Sequence, residues 1–248
     1  MLLLSVVACS QEQKIKGLSL VGASRLPDEN TWLGVQNLGS NAITLMPYAY
    51  SEKGDSNLIS YTDWQWVGES YQGIISCSVK AQSLGLQVMI KPHIWIVRGG
   101  YTGSMSFDSP QKRKAWNRQY IDYITRFAAL ADSLGHKSFC LATEMESMWQ
   151  ESPGDFQELI RAVRAVFHGK ITYAANWDEY KRVPFWKQLD YVGVDGYFPV
   201  SEEETPFIDT ISAPVGISLS TFKPRKSRKA YNLSSIQMTS NGKINLHK

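Results

Sequence analysis

Residues 138–147 read SFCLATEMES, an apolar run that closes on two acids, Glu144 and Glu146. Other apolar runs close in a similar way. One ends at Tyr48, one at Lys91, His93 and Trp95, one at Asn176 and Trp177, and one at Asp195 and Tyr197. Alternate residues of an extended chain share a face, so Lys91, His93 and Trp95 point one way, as do Asp195 and Tyr197. A carboxylic acid in apolar, aromatic surroundings keeps its proton to higher pH than in water. It can then hand that proton to a leaving oxygen while a second carboxylate supports or attacks the carbon left behind. Trp rings stack on sugar rings, and Asn, His and Lys bond hydroxyls. The residue set suits cleavage of a glycosidic bond.

Glu144 is the acid expected to react. Glu146 lies two residues further out and reads as a helix-start acid or a minor sugar contact. His93, flanked on one face by Lys91 and Trp95, reads as a site residue rather than a core histidine. Lys91 either meets substrate or neutralises Asp195, and Asp195 reads as holding the site together. Trp177 is divided between sugar platform and core. Glu69, in WVGES, either orients a neighbour or caps a helix.

Strand-length apolar runs carry these residues. They span 17–23, 42–50, 86–97, 138–144, 170–177 and 189–199. Near-continuous apolar runs are the pattern of parallel strands covered on both faces. Helical periodicity fills the gaps at 63–84, 110–134 and 153–167, with Ser109 and Ser152 as caps, Pro110 and Pro153 opening, and Gly85, Gly135 and Gly169 stopping. Alternating strand and helix means α/β with a parallel sheet. No glycine-rich phosphate loop follows a strand, whereas polar side chains gather at strand ends. That is the layout of a (β/α)8 TIM barrel, here with about six βα units recognisable and therefore incomplete.

Composition narrows the partners. Of 26 Lys and Arg, seven follow Ile211, where no Asp or Glu occurs, so the residues before it are net acidic. A basic tail on an acidic body gives no nucleic-acid groove. The 8 Trp and 12 Tyr fit core filling and also a carbohydrate cleft. The opening MLLLSVVACS resembles a lipobox, with Cys9 as the lipidated residue, although no Lys or Arg precedes the apolar run. Residues 1–15 are thus expected to be a lipoprotein signal and tether to a bacterial membrane, on its extracytoplasmic side. Cys77 and Cys140 read as buried thiols, and neither metal-ligand spacing nor a cofactor motif occurs. Residues 16–212 form the barrel domain, and 213–248 an atypical basic tail.

Four stretches in order, residues 66–96, ATEMES, ITYAANWDEY and YVGVDGYFP, together resemble glycoside hydrolase family 113. The resemblance implies a retaining, two-glutamate TIM barrel acting on β-1,4-linked mannan-type polysaccharide or oligosaccharide. It implies Glu144 as general acid/base, with His93, Trp95, Asn176, Trp177 and Tyr197 lining sugar subsites. The family nucleophile, a glutamate at the end of strand seven in a stretch similar to FTE-x-GY, has no counterpart, and the last acid is Asp209. The expectation is a truncated or frame-shifted copy with impaired catalysis. The alternative is a non-catalytic carbohydrate-binding surface lipoprotein. An esterase is disfavoured because no Gly-x-Ser-x-Gly occurs.

Overall fold

The computed structural model describes residues 14–198 and the strand segments 230–232, 237–238 and 244–245. Cys9 and residues 199–229 lie outside the described residues. Six parallel strands form the body of the sheet: β1 (Gly17–Leu20), β2 (Ala42–Leu45), β5 (Gln87–Ile90), β7 (Ser138–Thr143), β8 (Lys170–Asn176) and β9 (Val192–Asp195). Each falls within one of the apolar runs read from the sequence.

Two of those runs are interrupted by proline. Pro47 separates β2 from β3 (Tyr48–Ser51), and Pro92 separates β5 from β6 (His93–Ile96). Proline has no N–H to give to a ladder. The pairing nevertheless continues across the gap, because Lys91 N donates to Leu45 O and His93 N to Pro47 O, both at 2.9 Å. The β3–β6 ribbon therefore prolongs β2 and β5 in the same register, with Tyr48 opposite His93 and Tyr50 opposite Trp95. A short strand, β4 (Leu58–Ile59), covers the free edge of β3.

Helices cover the outer face. In α3 (Pro110–Ser133) the Ser109 hydroxyl accepts from Lys112 N at 3.2 Å. Its buried stripe of Trp116, Tyr120, Tyr123 and Phe127 packs on the sheet. The polar tips on that stripe are satisfied: Trp116 donates to Ser51 Oγ at 2.9 Å and Tyr120 to Leu141 O at 3.3 Å. In α2 (Tyr71–Ser83) Ser70 is the cap. Both helices end on a left-handed glycine, Gly85 or Gly135, as the sequence indicates.

Two expectations need correction, and two elements add to the reading. The helix expected from 63 starts only at Tyr71; before it a 3-10 turn, Val67–Glu69, lies against the end of β1. Ser152 makes no capping bond in α5 (Pro153–Val166), because its backbone also closes the short helix α4 (Glu146–Glu151). Helix α1 (Glu29–Asn37) was not legible: only Thr31, Trp32 and Val35 are buried, too sparse a stripe to show. The tail, whose sequence shows no clear strand–helix–strand pattern, contributes β10 (Ala230–Asn232) parallel to β9, β11 (Gln237–Met238) parallel to β1, and β12 (Ile244–Asn245) antiparallel to β11. Edge strands offer unpaired N–H and C=O groups that any backbone can meet, without an apolar side-chain pattern. Among the described residues β10 and β12 do not pair with each other, so the barrel stays incomplete.

Candidate active site

The strand ends converge as a curled parallel sheet requires. Lys91 follows β5 and Asp195 ends β9, with β7 and β8 between them. On a flat sheet three strand spacings separate them by roughly 14 Å. Yet Lys91 Nζ lies 2.7 and 3.0 Å from the two Asp195 oxygens. Both residues are buried. Burial alone pulls the Lys91 ammonium down, but the Asp195 carboxylate outweighs it and holds the lysine above its usual range. Lys91 and Asp195 thus occupy each other inside the mouth.

Glu144 stands beside this pair, directly after β7. Its backbone adopts φ 49°, a left-handed conformation that non-glycine residues seldom take. Register slips between Cys140 and Thr143, and Glu144 N donates to Ala174 O at 2.8 Å. The bulge and the left-handed turn re-aim the strand end. Burial first, then the negative charges of Asp195 and Glu179, push the Glu144 carboxyl up to about 7, with Lys91 opposing. A carboxyl poised there can give up a proton at neutral pH and recover it.

Glu179, which the sequence reading passed over, anchors this corner. It is fully buried. Its Oε1 accepts from Tyr173 at 2.5 Å and Trp149 at 2.8 Å, and its Oε2 from Asn176 N at 2.9 Å. Tyr173 in turn accepts from Met145 N at 2.7 Å. One carboxylate therefore fixes the residue after Glu144, helix α4 and the end of β8. Burial holds it above the usual carboxylate range, against the bonds it receives. The visible signal was an acid three residues after Asn176, ordinary for any turn.

The remaining candidates spread around the mouth. Tyr197 feels Asp195, Lys91 and Glu144, and burial raises its phenol first of all. His93 lies tilted against Tyr48 with ring centres 5.2 Å apart; its Nε2 is buried without a partner, and burial with Lys91 holds it well below the normal histidine range, hence neutral. Asn176 donates to the Tyr101 hydroxyl at 2.8 Å, while its Oδ1 is left unpartnered. Tyr101 is a second residue the sequence did not single out. Trp95 is exposed on the β3–β6 ribbon. Trp177 is half-buried and packs near Phe198, ring centres 6.1 Å apart. Glu146 is held by Arg182, whose Nη2 and Nε lie 2.5 and 2.9 Å from Oε1, and by Gln150. It opens α4 and stays away from the mouth. Asp195 and Glu179 are the carboxylates facing Glu144, and both are committed to partners.

The model of glycoside hydrolase family 113 matches residues 30–220. The chain belongs to this family. Among solved structures it is similar to a family 113 β-mannanase from Alicyclobacillus acidocaldarius in complex with ManMIm, at 25% identity and a TM-score of 0.66, covering 75% of this chain and 62% of that one. A second family 113 β-1,4-mannanase, also a complex, matches at 24% identity and 0.66, covering 76% and 64%. A third matches at 19% and 0.65, covering 87% and 70%. The chain thus spans less than two thirds of the length of the first two. No curated protein sequence matches it. Among the described residues the sheet of this family 113 chain is incomplete, and Glu144 stands at its mouth against Asp195.

Proposed function

We propose that this chain is a glycoside hydrolase of family 113 type, built to cleave β-1,4-linked mannan-type chains by a retaining mechanism. One observation carries the reading: Glu144 is a carboxyl raised to about 7, at a bulged strand end and half-buried beside the Lys91–Asp195 pair. As general acid it protonates the leaving oxygen; as general base it then activates water. Tyr48, His93, Trp95, Asn176, Trp177 and Tyr197 line the sugar sites, while Lys91 and Asp195 set the field around the acid. The names of the similar structures, a β-mannanase and a β-1,4-mannanase, support the substrate class.

The chain as written lacks a glutamate-bearing strand after Asp209, so we expect it to release little or no reducing sugar from mannan. A version with a glutamate-bearing seventh strand and an eighth strand should cut mannan and glucomannan. In that version Glu144→Gln should lose roughly 100- to 10,000-fold in rate. Activity that Glu144→Gln leaves intact sinks the assignment.

We further propose that Cys9 carries a lipid anchor on the outer side of a bacterial membrane, supported by the apolar run 2–8 that ends at it. Labelled palmitate should enter the wild-type chain and not Cys9→Ser; an unlabelled wild-type chain overturns the anchor.

A further inference from the structure

Two glycines bring a carboxylate to the opposite side of the mouth. A Cβ on Gly22, just past β1, would lie 2.3 Å from Glu69 Cγ, and one on Gly68 would lie 2.6 Å from Ala23 N. Gly68 N also donates to Ala23 O at 2.9 Å. The 3-10 turn is therefore pressed flat on the chain leaving β1, at a contact that only glycine permits. Its product is Glu69, 8% exposed. Tyr50 donates to Glu69 Oε2 at 2.5 Å, and among the described residues no donor meets Oε1. Oε1 is reached by solvent, so a water or a ligand hydroxyl can supply it a donor.

The surroundings specify the donor. Trp64 sits over Tyr50, ring centres 4.9 Å apart, and is 60% exposed. Gln65 locks the approach by donating to Tyr48 O at 2.6 Å. Trp95, opposite Tyr50 in the β3–β6 register, is 56% exposed. Large indoles held in water beside a carboxylate call for a ligand with an apolar face and hydroxyls on its rim, which is a pyranose. β1 is separated from β7 by β2 and β5. Two strands thus stand between the chain that Glu69 packs on and the strand that carries Glu144.

We propose that Glu69, Tyr50 and Trp64 form a distal sugar subsite that takes a hexopyranose unit of a β-1,4 chain. The ring stacks on Trp64, and adjacent hydroxyls donate to Glu69. The unit bound is not the one at Glu144 but one further along the chain. The subsite makes the chain selective for longer oligosaccharides, and its mannan-type specificity rests on the function proposed above.

Calorimetry on the full chain with mannobiose, mannotriose and mannohexaose tests this without any need for turnover. The hexaose should bind at least tenfold more tightly than the biose. Trp64→Ala and Glu69→Gln should each weaken hexaose binding at least tenfold and leave the biose unchanged. Trp64 is exposed, so its replacement leaves the core alone, and an unaltered melting curve checks this. Hexaose binding that neither variant weakens overturns the subsite alone. Binding of cellohexaose but not mannohexaose, still lost in Trp64→Ala, keeps the subsite and overturns the mannan reading. A wild-type chain that binds no β-linked hexaose overturns both.

Discussion

Glu144 illustrates how one side chain acquires its chemistry from its neighbours. Its carboxyl is pushed up to about 7 by burial and by the charges of Asp195 and Glu179. The same shift has a stability consequence with a definite sign. Below the ordinary carboxylate range the folded and unfolded chains are both protonated, and nothing is lost. As pH rises from about 4.5 to about 7 the unfolded chain ionises first, so stability falls. Above that window the full cost remains, roughly 1–3 kcal/mol after solvent screening. Glu144→Gln should therefore match wild type at pH 4 and exceed it at pH 8 in urea unfolding. Equal differences at both pH values would contradict the shift. The two nearby acids in SFCLATEMES are already told apart in the sequence, Glu144 as the reacting acid and Glu146 as a helix-start acid, and Glu146 does open α4. Only the contacts to Arg182 reveal that Glu146 is spoken for.

Elements were read best where burial is most complete. The six strand runs are apolar along their length because both faces are covered, so no partner need be known to see them. Helices α2, α3 and α5 show a stripe and stop signals. The short helices α1 and α4 have too few turns for a stripe to stand out. The junction from α3 to β7 shows a cost that the sequence hides. His136 follows the helix-ending Gly135, is buried, and has both ring nitrogens unpartnered. Burial lowers it to about 4, so it is neutral when folded. Its contribution to stability is intact above about pH 6.5, where the unfolded histidine is also neutral, and is lost as pH falls toward 4. His136→Leu should flatten the decline in melting temperature between pH 6.5 and 4. An unchanged slope would show that other groups set the acid limit.

At the scale of the molecule, the Lys91–Asp195 pair ties strands three places apart and records the curl of the sheet. Removing one partner strands a buried charge. Lys91→Met should cost roughly 3–5 kcal/mol, and Lys91→Met with Asp195→Leu should recover most of it. A single variant that unfolds within about 1 kcal/mol of wild type would mean that the pair does not hold the sheet. The family 113 architecture was legible as a set of βα units with polar strand ends. Its closure was not, because closure depends on which edges meet.

The sequence by itself determined the parallel α/β layout, the strand that carries Glu144, and the family, since these follow from local periodicity and from motif order. The tertiary structure alone decided which acids are committed. It committed Asp195 to Lys91, Glu146 to Arg182 and Glu179 to Tyr173 and Trp149, and it pressed Glu69 against β1. The physical reason is that a carboxylate's role is set by the donors within hydrogen-bond reach. For Asp195 and Glu146 those donors, Lys91 and Arg182, arrive from segments far apart in the chain.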